Sequence, residues 1–249
     1  MSARSAGTMP FITRFTAWAP GFGDPHAWDE WAGGKRDIPA IKDGPDLAFT
    51  DPIFRRRLSQ ISRMTIQVLH DLIPIREDTK VVFLSFRGEI TRQFKINRMI
   101  IEDQSVLPAA FSLSVFNTPP ALAAMALGLT AGYTAVYPAD GFRSALLAAA
   151  APVLSGSAGE TVLVYADEFC PPEYGDLRPE DNTPLAFGAV LSGAADPGGG
   201  EPVIPFPFTS ELSAGVSAGT VPDSPREFLK YLLLCRKSQK YEQDKTGAH

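Results

Sequence analysis

Cysteine and histidine are scarce in this chain of 249 residues, which has two of the first and three of the second. Cys170 and Cys235 lie far apart and match neither the spacing of a metal site nor a CxxC redox pair. The sequence therefore predicts no disulfide scaffold, no metal centre and no cofactor. Two unpaired thiols are typical of a protein in the reducing cytoplasm, which is the expected location.

Long apolar runs are also missing, as is any excess of positive charge. No stretch approaches the roughly 18 uninterrupted apolar residues of a membrane span, and residues 1–7 lack the apolar core of a signal peptide. The formal net charge of -5 gives no general attraction for nucleic acid or for an anionic membrane. We expect a soluble chain with no nucleic acid partner and no membrane span. Its 45% hydrophobic residues suffice for one sizeable core.

Strand and helix patterns alternate along most of the chain. Residues 10–18 alternate loosely as a strand, and Pro52 opens an amphipathic helix whose apolar positions, spaced by three and four, run to Leu72. Four further strands and three further helices are predicted: strands at 80–85, 133–137, 161–166 and 185–191, and helices at 91–101, 119–127 and 142–154. The pattern predicts an α/β fold with a mostly parallel, five-stranded sheet and helices on both faces.

Composition changes after Ser192, where Gly, Ala, Pro and Ser dominate. Gly198–Gly200 marks a loop that we expect to be mobile, and a final amphipathic helix is predicted to begin near Pro225. We therefore divide the chain into residues 1–192, which form the main unit, and residues 193–249. The second part is expected to be a Gly/Pro-rich loop and a C-terminal helix that packs on the same domain.

Five short segments stand out by their order and spacing, namely Ala17–Gly21, Arg55–Met64, Ser85–Glu89, Ala110–Asn117 and Tyr165–Glu168. Together they make residues 11–191 resemble the family of ketoacyl-synthase-like N-terminal domains. That family includes the chain-length-factor-like proteins of aryl polyene and related lipid pathways. One departure is Phe116, where the family has a histidine before the asparagine.

The resemblance implies a thiolase-like fold, of which this chain contains the N-terminal half. A complete synthase adds a second half of similar topology, and that half carries two catalytic histidines. The histidines of this chain are His26, His70 and His249, so positions 71 to 248 supply no imidazole. We therefore expect that the chain cannot complete the usual condensation by itself and is not an enzyme on its own.

The resemblance also sets Asp140 at the position of the reactive cysteine of the family. In condensing enzymes this cysteine lies at a strand-to-helix turn, where the helix N-terminus lowers its pKa and backbone N–H groups hold the thioester oxyanion. Asp140 has two compatible interpretations. It is an ordinary N-cap of the following helix, or a pseudo-nucleophile that fills the old oxyanion site.

Other reactive side chains have simpler interpretations. Cys170 enters a proline-rich loop and lacks the helix dipole that would activate a thiol. His70 ends an amphipathic helix, where a surface charge is more common than a ligand or a base. Glu89 is expected to form a structural ion pair with Arg87 or Arg92, although a catalytic acid remains the alternative.

In the resembling synthases, the strand before the nucleophile turn pairs across the dimer axis, and a nearby segment gates the partner's acyl tunnel. Carried over to this chain, an interface and tunnel gate are implied at Ala110, Phe111, Asn117, Thr134, Val136, Tyr137 and Pro138. The alternative for Ala109, Ala110 and Phe111 is simple packing in the subunit core.

Three functions follow from these observations. The first is a non-catalytic, chain-length-factor-like subunit that pairs with a full-length ketoacyl synthase in aryl polyene or related polyketide biosynthesis. An acyl carrier protein with a phosphopantetheine-linked acyl chain would then act on it through the complex. The second is a small malonyl-thioester decarboxylase, and the third is a binding module for acyl chains or acyl carrier protein. The missing second half favours the first.

Overall fold

A computed structural model describes residues 10–170, 172–175, 182–193, 203–207 and 222–246. The segment Gly198–Gly200 lies outside the described residues. The strands are β1 (Phe11–Trp18), β2 (Lys80–Leu84), β3 (Tyr133–Val136), β4 (Glu160–Asp167), β5 (Leu185–Ser192) and β6 (Ile204–Pro205). The helices are α1 (Pro25–Ala32), α2 (Pro52–Arg55), α3 (Gln60–His70), α4 (Ile90–Asp103), α5 (Pro108–Ser112), α6 (Thr118–Leu127), α7 (Phe142–Leu154) and α8 (Pro225–Thr246).

The strands form one mixed sheet in the order β3-β2-β4-β5-β1-β6. The predicted α/β class is confirmed, but the sheet has six strands rather than five, and β2 is parallel only to β3 and β4. The remaining pairs are antiparallel. Between β4 and β5 the described residues contain one 3₁₀ turn, Pro172–Tyr174, and no crossover helix of the kind that parallel pairing needs. In the described part of the chain, β6 pairs only with Phe11 and Ile12 of β1. β6 has two residues, which are too few for a sequence pattern to predict a strand.

The single helix predicted from Pro52 to Leu72 is wrong, because two helices occupy this segment. Asp51 caps the short α2 by accepting hydrogen bonds from the N–H groups of Ile53 and Phe54. Ser59 begins α3 as a new N-cap, and its Oγ accepts from the N–H of Ser62 at 3.1 Å. A serine side chain competes well for the first N–H groups of a helix, so the chain restarts the helix at Ser59.

Two apolar clusters lie on opposite faces of the sheet, because alternate residues of each strand face opposite sides. α3 and α6 cover one face, and α1, α7 and α8 cover the other. Phe228, Leu229 and Leu232 of α8 are fully buried among the residues of this second cluster. Within the described residues, no helix is both long and apolar enough to cross a membrane.

Candidate functional site at the β3 edge

β3 lies at one end of the sheet and, in the part of the chain that the structure describes, pairs only with β2. The N–H groups of Val81 and Ser85 in and after β2 donate to the carbonyls of Gly132 and Val136. Because hydrogen-bonding directions alternate along a strand, Tyr133 and Ala135 direct their N–H and C=O groups away from β2. The outer edge of β3 is therefore open to a further strand.

The predicted interface residues of β3 and its following turn differ in their exposure. Thr134 and Tyr137 are exposed, with 61% of Tyr137 accessible, whereas Val136 is half-buried and Pro138 is buried. Tyr137 is thus a large aromatic side chain at an open sheet edge, and such residues are enriched in protein interfaces.

The turn Pro138–Gly141 joins β3 to α7 and contains Asp140. The structure assigns the N-cap of α7 to Gly141, whose φ of 90° suits glycine. Asp140 is exposed, and its backbone carbonyl accepts a hydrogen bond from Ser144 Oγ. The capping interpretation of Asp140 is therefore wrong, because the chain enters the helix one residue later. The pseudo-nucleophile interpretation stays a prediction.

Ala110 and Phe111 lie on α5, a short helix that was not predicted from the sequence. α5 buries none of its residues, and Phe111 is 53% exposed. The core-packing alternative is therefore wrong for Phe111, whereas Ala110 is half-buried. Asn117 is also exposed, at the N-cap of α6, where its side chain makes no capping hydrogen bond. An exposed Phe111 fits a surface that another molecule covers.

Phe116 connects the α5–α6 junction to the end of β3. Its ring packs edge-on against Tyr137, with 6.4 Å between ring centroids, and against Phe83 of β2 at 6.3 Å. The departure at Phe116 thus has a structural role. It joins two segments that carry predicted interface residues, residues 110–117 and 133–138.

Further apolar side chains are exposed on α4, α5 and the segments beside them. We call this set the α4–α5 surface, and it consists of Ile100, Ile101, Val106, Leu107, Phe111 and Val115. α4 is only loosely built into the core, since Ile96 is its one buried residue. Helices with such exposed apolar faces mark protein interaction sites more often than scattered single residues do.

A buried polar cluster lies at the carboxyl ends of β2 and β4. Glu89 accepts hydrogen bonds from Ser59 Oγ at 2.7 Å and from Ser62 Oγ at 2.6 Å, and its Oε2 lies 3.4 Å from Arg92 Nε. The ion pair expected for Glu89 is therefore present, with Arg92 as the partner. Burial raises the pKa of Glu89, against the opposing effects of Arg92 and of the two serines.

The structure adds two carboxylates, Asp167 and Glu168, to this cluster, and the sequence had not singled them out as site residues. Asp167 accepts from Ser85 Oγ at 2.6 Å, from Tyr165 Oη at 2.8 Å and from the N–H groups of Phe86 and Arg87. It thereby fixes the loop after β2 to the end of β4. One sequence signal could have identified them. Asp167 and Glu168 directly follow the apolar strand predicted at residues 161–166, and side chains at that end of the strand lie beside those that follow the neighbouring parallel strand β2.

The remaining candidates behave as expected. Cys170 is buried, and burial raises the pKa of its thiol, which is opposite to the activation that a nucleophile needs. His70 stacks on Phe49 with 3.7 Å between ring centroids and lies 3.3 Å from Asp71. Among the described residues, no three His, Cys, Asp or Glu side chains are grouped so that they could hold a metal ion.

Comparison with known proteins gives one family and a set of structural relatives. The family model described as the N-terminal domain of β-ketoacyl synthases matches residues 28–204, which is well over half of the chain. No curated protein matches the sequence.

One similar solved structure is a ketosynthase (ApeO) in complex with its chain length factor (ApeC) from Xenorhabdus doucetiae. The matched chain is 20% identical, the match covers 90% of this chain and 91% of that one, and the TM-score is 0.68. The ishigamide ketosynthase/chain length factor is 16% identical, with 78% and 64% of the two chains covered and a TM-score of 0.53.

A third similar structure is a type II polyketide synthase acyl-carrier protein in complex with its ketosynthase bound to the hexaketide. It is 15% identical over 75% of this chain and 63% of that chain, with a TM-score of 0.53. This chain thus spans less than two thirds of the length of the second and third relatives. At such identities the likeness concerns the fold, and it confirms the thiolase-like fold expected from the sequence.

Proposed function

The chain belongs to the family of β-ketoacyl synthase N-terminal domains, and from that membership we propose that it is a non-catalytic, chain-length-factor-like subunit. It pairs with a full-length ketoacyl synthase and shapes the acyl tunnel of that partner. The proposed product class is an aryl polyene or a related polyketide. Acyl carrier protein, with the growing chain on its phosphopantetheine arm, meets this subunit only through the complex.

The observation that carries the proposal is the open outer edge of β3 beside exposed aromatic side chains. An unpaired strand edge is a ready template for strand addition, and folded proteins normally protect such an edge. Here the exposed Tyr137 follows the edge strand, and its ring contacts Phe116, which lies between the exposed Phe111 and α6. A partner that adds its own strand to β3 would cover the edge and Tyr137. Such a permanent interface buries roughly 2,000 Å² or more.

The non-catalytic role rests on the chemistry at the nucleophile turn. A carboxylate at Asp140 is a far weaker nucleophile toward a thioester than a thiolate is, and Asp140 is exposed rather than held in a closed pocket. The family's histidine pair would have to come from the partner. Two structural relatives pair a ketosynthase with a chain length factor, which supports a role as the paired subunit.

Two clefts in the described part of the chain lie away from the turn at which a decarboxylase would act. One cleft of about 480 Å³ lies between β1, α1 and α8, and one of about 210 Å³ lies beside residues 73–79 and 127–131. Neither is lined by the turn Pro138–Gly141. A thioester decarboxylase that used the old oxyanion site would need a pocket at that turn.

Co-expression with a full-length ketoacyl synthase encoded beside this chain tests the proposal. Native mass spectrometry of the purified material should give one copy of each subunit, and the pair should form carbon–carbon bonds between malonyl and acyl thioesters. A chain that stays monomeric beside a folded, abundant synthase would refute the pairing. Turnover of malonyl thioester by the isolated chain would instead support the decarboxylase.

A further inference from the structure

Glu89 and Glu168 approach the same two helix ends from different loops. Glu89 contacts Ser59 and Ser62 at the start of α3 and Arg92 in the first turn of α4. Glu168 accepts hydrogen bonds from the N–H of Ile61 in α3 at 3.4 Å and from the N–H of Thr91 in α4 at 2.9 Å. The two carboxyl groups therefore share one polar pocket between the N-termini of α3 and α4. Both are buried, with 1% and 2% of the residue exposed.

The charges that face this pocket do not balance if every carboxyl is ionised. The carboxyls are Glu89, Glu168 and Asp167, and the described cations that act on them are Arg92, paired with Glu89, and Arg87, which lowers the pKa of Asp167. Arg87 also donates to the backbone carbonyl of Glu168, but Glu168 itself faces the negative charge of Glu89. α3 contributes only serine hydroxyls and N–H groups.

Among the described residues, three carboxyl groups face two guanidinium groups, and two further observations are consistent with this excess of one negative charge. Glu89 Oε2 is buried and lies 3.4 Å from Arg92 Nε, but it accepts no hydrogen bond within the described residues, so its hydrogen-bonding capacity is not filled. The other titratable side chains near the cluster are Tyr165 and Cys170, and burial raises the pKa of both groups, so both are neutral. One bound proton would make the three carboxyls and two guanidinium groups electrically neutral.

We propose that the pair of Glu89 and Glu168 holds one proton, on one carboxyl or the other, and that this proton anchors the N-terminus of α4 to α3 and to the end of β4. The anchor is important because Ile96 is the one buried residue of α4. Loss of the proton leaves two adjacent buried negative charges, and the helix is then released from the pocket. This device goes beyond the proposed function and does not depend on a partner.

The direction of the pH effect follows from the pKa of the pair. Burial first, and then the charge of Glu89, raise the pKa of Glu168 from 4.5 to about 7, and burial also raises the pKa of Glu89. The folded chain thus binds one proton more than the unfolded chain between these values. The stabilisation is complete below the unfolded pKa and is lost as the pH rises toward 7. In that window the unfolding equilibrium constant rises by up to about tenfold per pH unit.

Thermal unfolding of the full chain from about pH 5 to about pH 8 tests the proposal, with Glu168→Gln as the variant. Glutamine keeps an acceptor for the N–H groups but cannot ionise, so the difference in Tm between variant and wild type should shift in favour of the variant as the pH rises. Glu102→Gln on the exposed side of α4 is the matched control, and it should show no such pH-dependent difference. A difference for Glu168→Gln that is the same at every pH would overturn the proposal.

Infrared spectroscopy of the wild-type chain gives a second measurement that does not depend on the variant folding. A protonated carboxyl absorbs apart from a carboxylate, so the folded protein should lose the band of one protonated group between about pH 6 and about pH 8. Hydrogen exchange in residues 90–103, corrected with the α7 segment of the same molecule, should accelerate from about pH 5 to about pH 7 and then level off. The absence of a protonated carboxyl at about pH 6 would contradict the shared proton.

Because α4 carries part of the α4–α5 surface, the same proton should also affect partner binding, and this last step alone rests on the proposed function. Binding to the synthase should weaken from about pH 5 to about pH 7 in the wild type and much less in Glu168→Gln. If the pH-dependent difference in Tm appears but the chain does not bind the synthase, the proton held by Glu89 and Glu168 is supported and the proposed pairing with a synthase is wrong.

Discussion

Phe116 lies directly against Gly88, in the loop after β2. A Cβ atom added to Gly88 would lie 2.7 Å from Phe116 Cδ2, and Gly88 has a φ of 58°. The close approach and the left-handed backbone both require glycine at this position. Phe116 in turn contacts Tyr137 at the β3 edge, so the loop of Glu89, the α5–α6 junction and the candidate interface are packed as one unit.

Replacement of Gly88 by alanine should destabilise the chain for two reasons, the strained backbone and the contact with Phe116. The matched control is Gly34→Ala, because Gly34 has a φ of 71° but nothing within 4 Å of an added Cβ. Both variants lose stability because alanine is strained at a positive φ. Only Gly88→Ala also places a methyl group against Phe116, and such overpacking typically lowers the free energy of unfolding by about 1–3 kcal/mol. Urea unfolding should show this difference in the free energy of unfolding. Equal losses would mean that Phe116 moves aside without cost.

The purified chain should catalyse no condensation of malonyl and acyl thioesters, and Asp140→Cys should not create this activity. A thiol at position 140 would still lack the two histidines that a complete synthase provides from its second half, and a cysteine without its base is a poor catalyst. Product analysis by mass spectrometry is the measurement, with a complete synthase as the positive control. Carbon–carbon bond formation by either form of the isolated chain would show that the non-catalytic role is wrong.

Ala135→Pro should prevent pairing with the synthase while the subunit stays folded. The N–H of Ala135 points away from β2, so proline removes a donor that the sheet of this chain does not use. The same donor would bond to a partner strand on the open edge. Ala135→Ser, which keeps the N–H group, is the control and should still pair.

Size-exclusion chromatography with light scattering, on subunit and synthase mixed at equal concentration, distinguishes the outcomes. Circular dichroism and Tm of the isolated variants establish that both are folded. A well-folded Ala135→Pro variant that still forms the complex would show that β3 does not pair across the interface.

The regular elements were largely predictable from the sequence, because their apolar patterns are long. The strand at residues 80–85 and the helix at residues 142–154 agree with β2 and α7 within one residue. The failures have local causes. Ser59 restarts a helix inside a continuous apolar pattern, and α5 is too short for periodicity to detect.

The candidate site was predictable only in part, since its parts come from separate loops. Sequence alone paired Glu89 with an arginine but could not bring Glu168 to it, because these residues lie 79 positions apart in the chain and meet only when β2 and β4 align. The direction of the strands beside β4 could not be predicted either. β4 is buried on both faces, and the sequence of such an apolar strand is the same whether its neighbours are parallel or antiparallel. The exposure of Phe111, in contrast, depends on tertiary packing that no local pattern encodes.

The last prediction concerns the length of the product and rests on Ala110. In the resembling synthases this position faces the acyl tunnel of the partner across the dimer interface, and a small side chain there leaves room for a long or rigid product such as a conjugated polyene. Ala110 is half-buried on α5 beside the exposed Phe111, within the segment that is proposed to face the partner. Ala110→Trp should therefore leave the complex assembled and shorten its products.

Ala109→Trp is the matched control, because Ala109 is the exposed neighbour on the same helix and a residue there points about 100° away around the axis. Native mass spectrometry should show intact complexes for both variants, and the distribution of product lengths should shift only for Ala110→Trp. If the bulky residue instead overpacks the subunit, the cost of about 1–3 kcal/mol would lower Tm and yield without changing the products. An unchanged distribution from a fully assembled Ala110→Trp complex would show that residue 110 does not gate the tunnel.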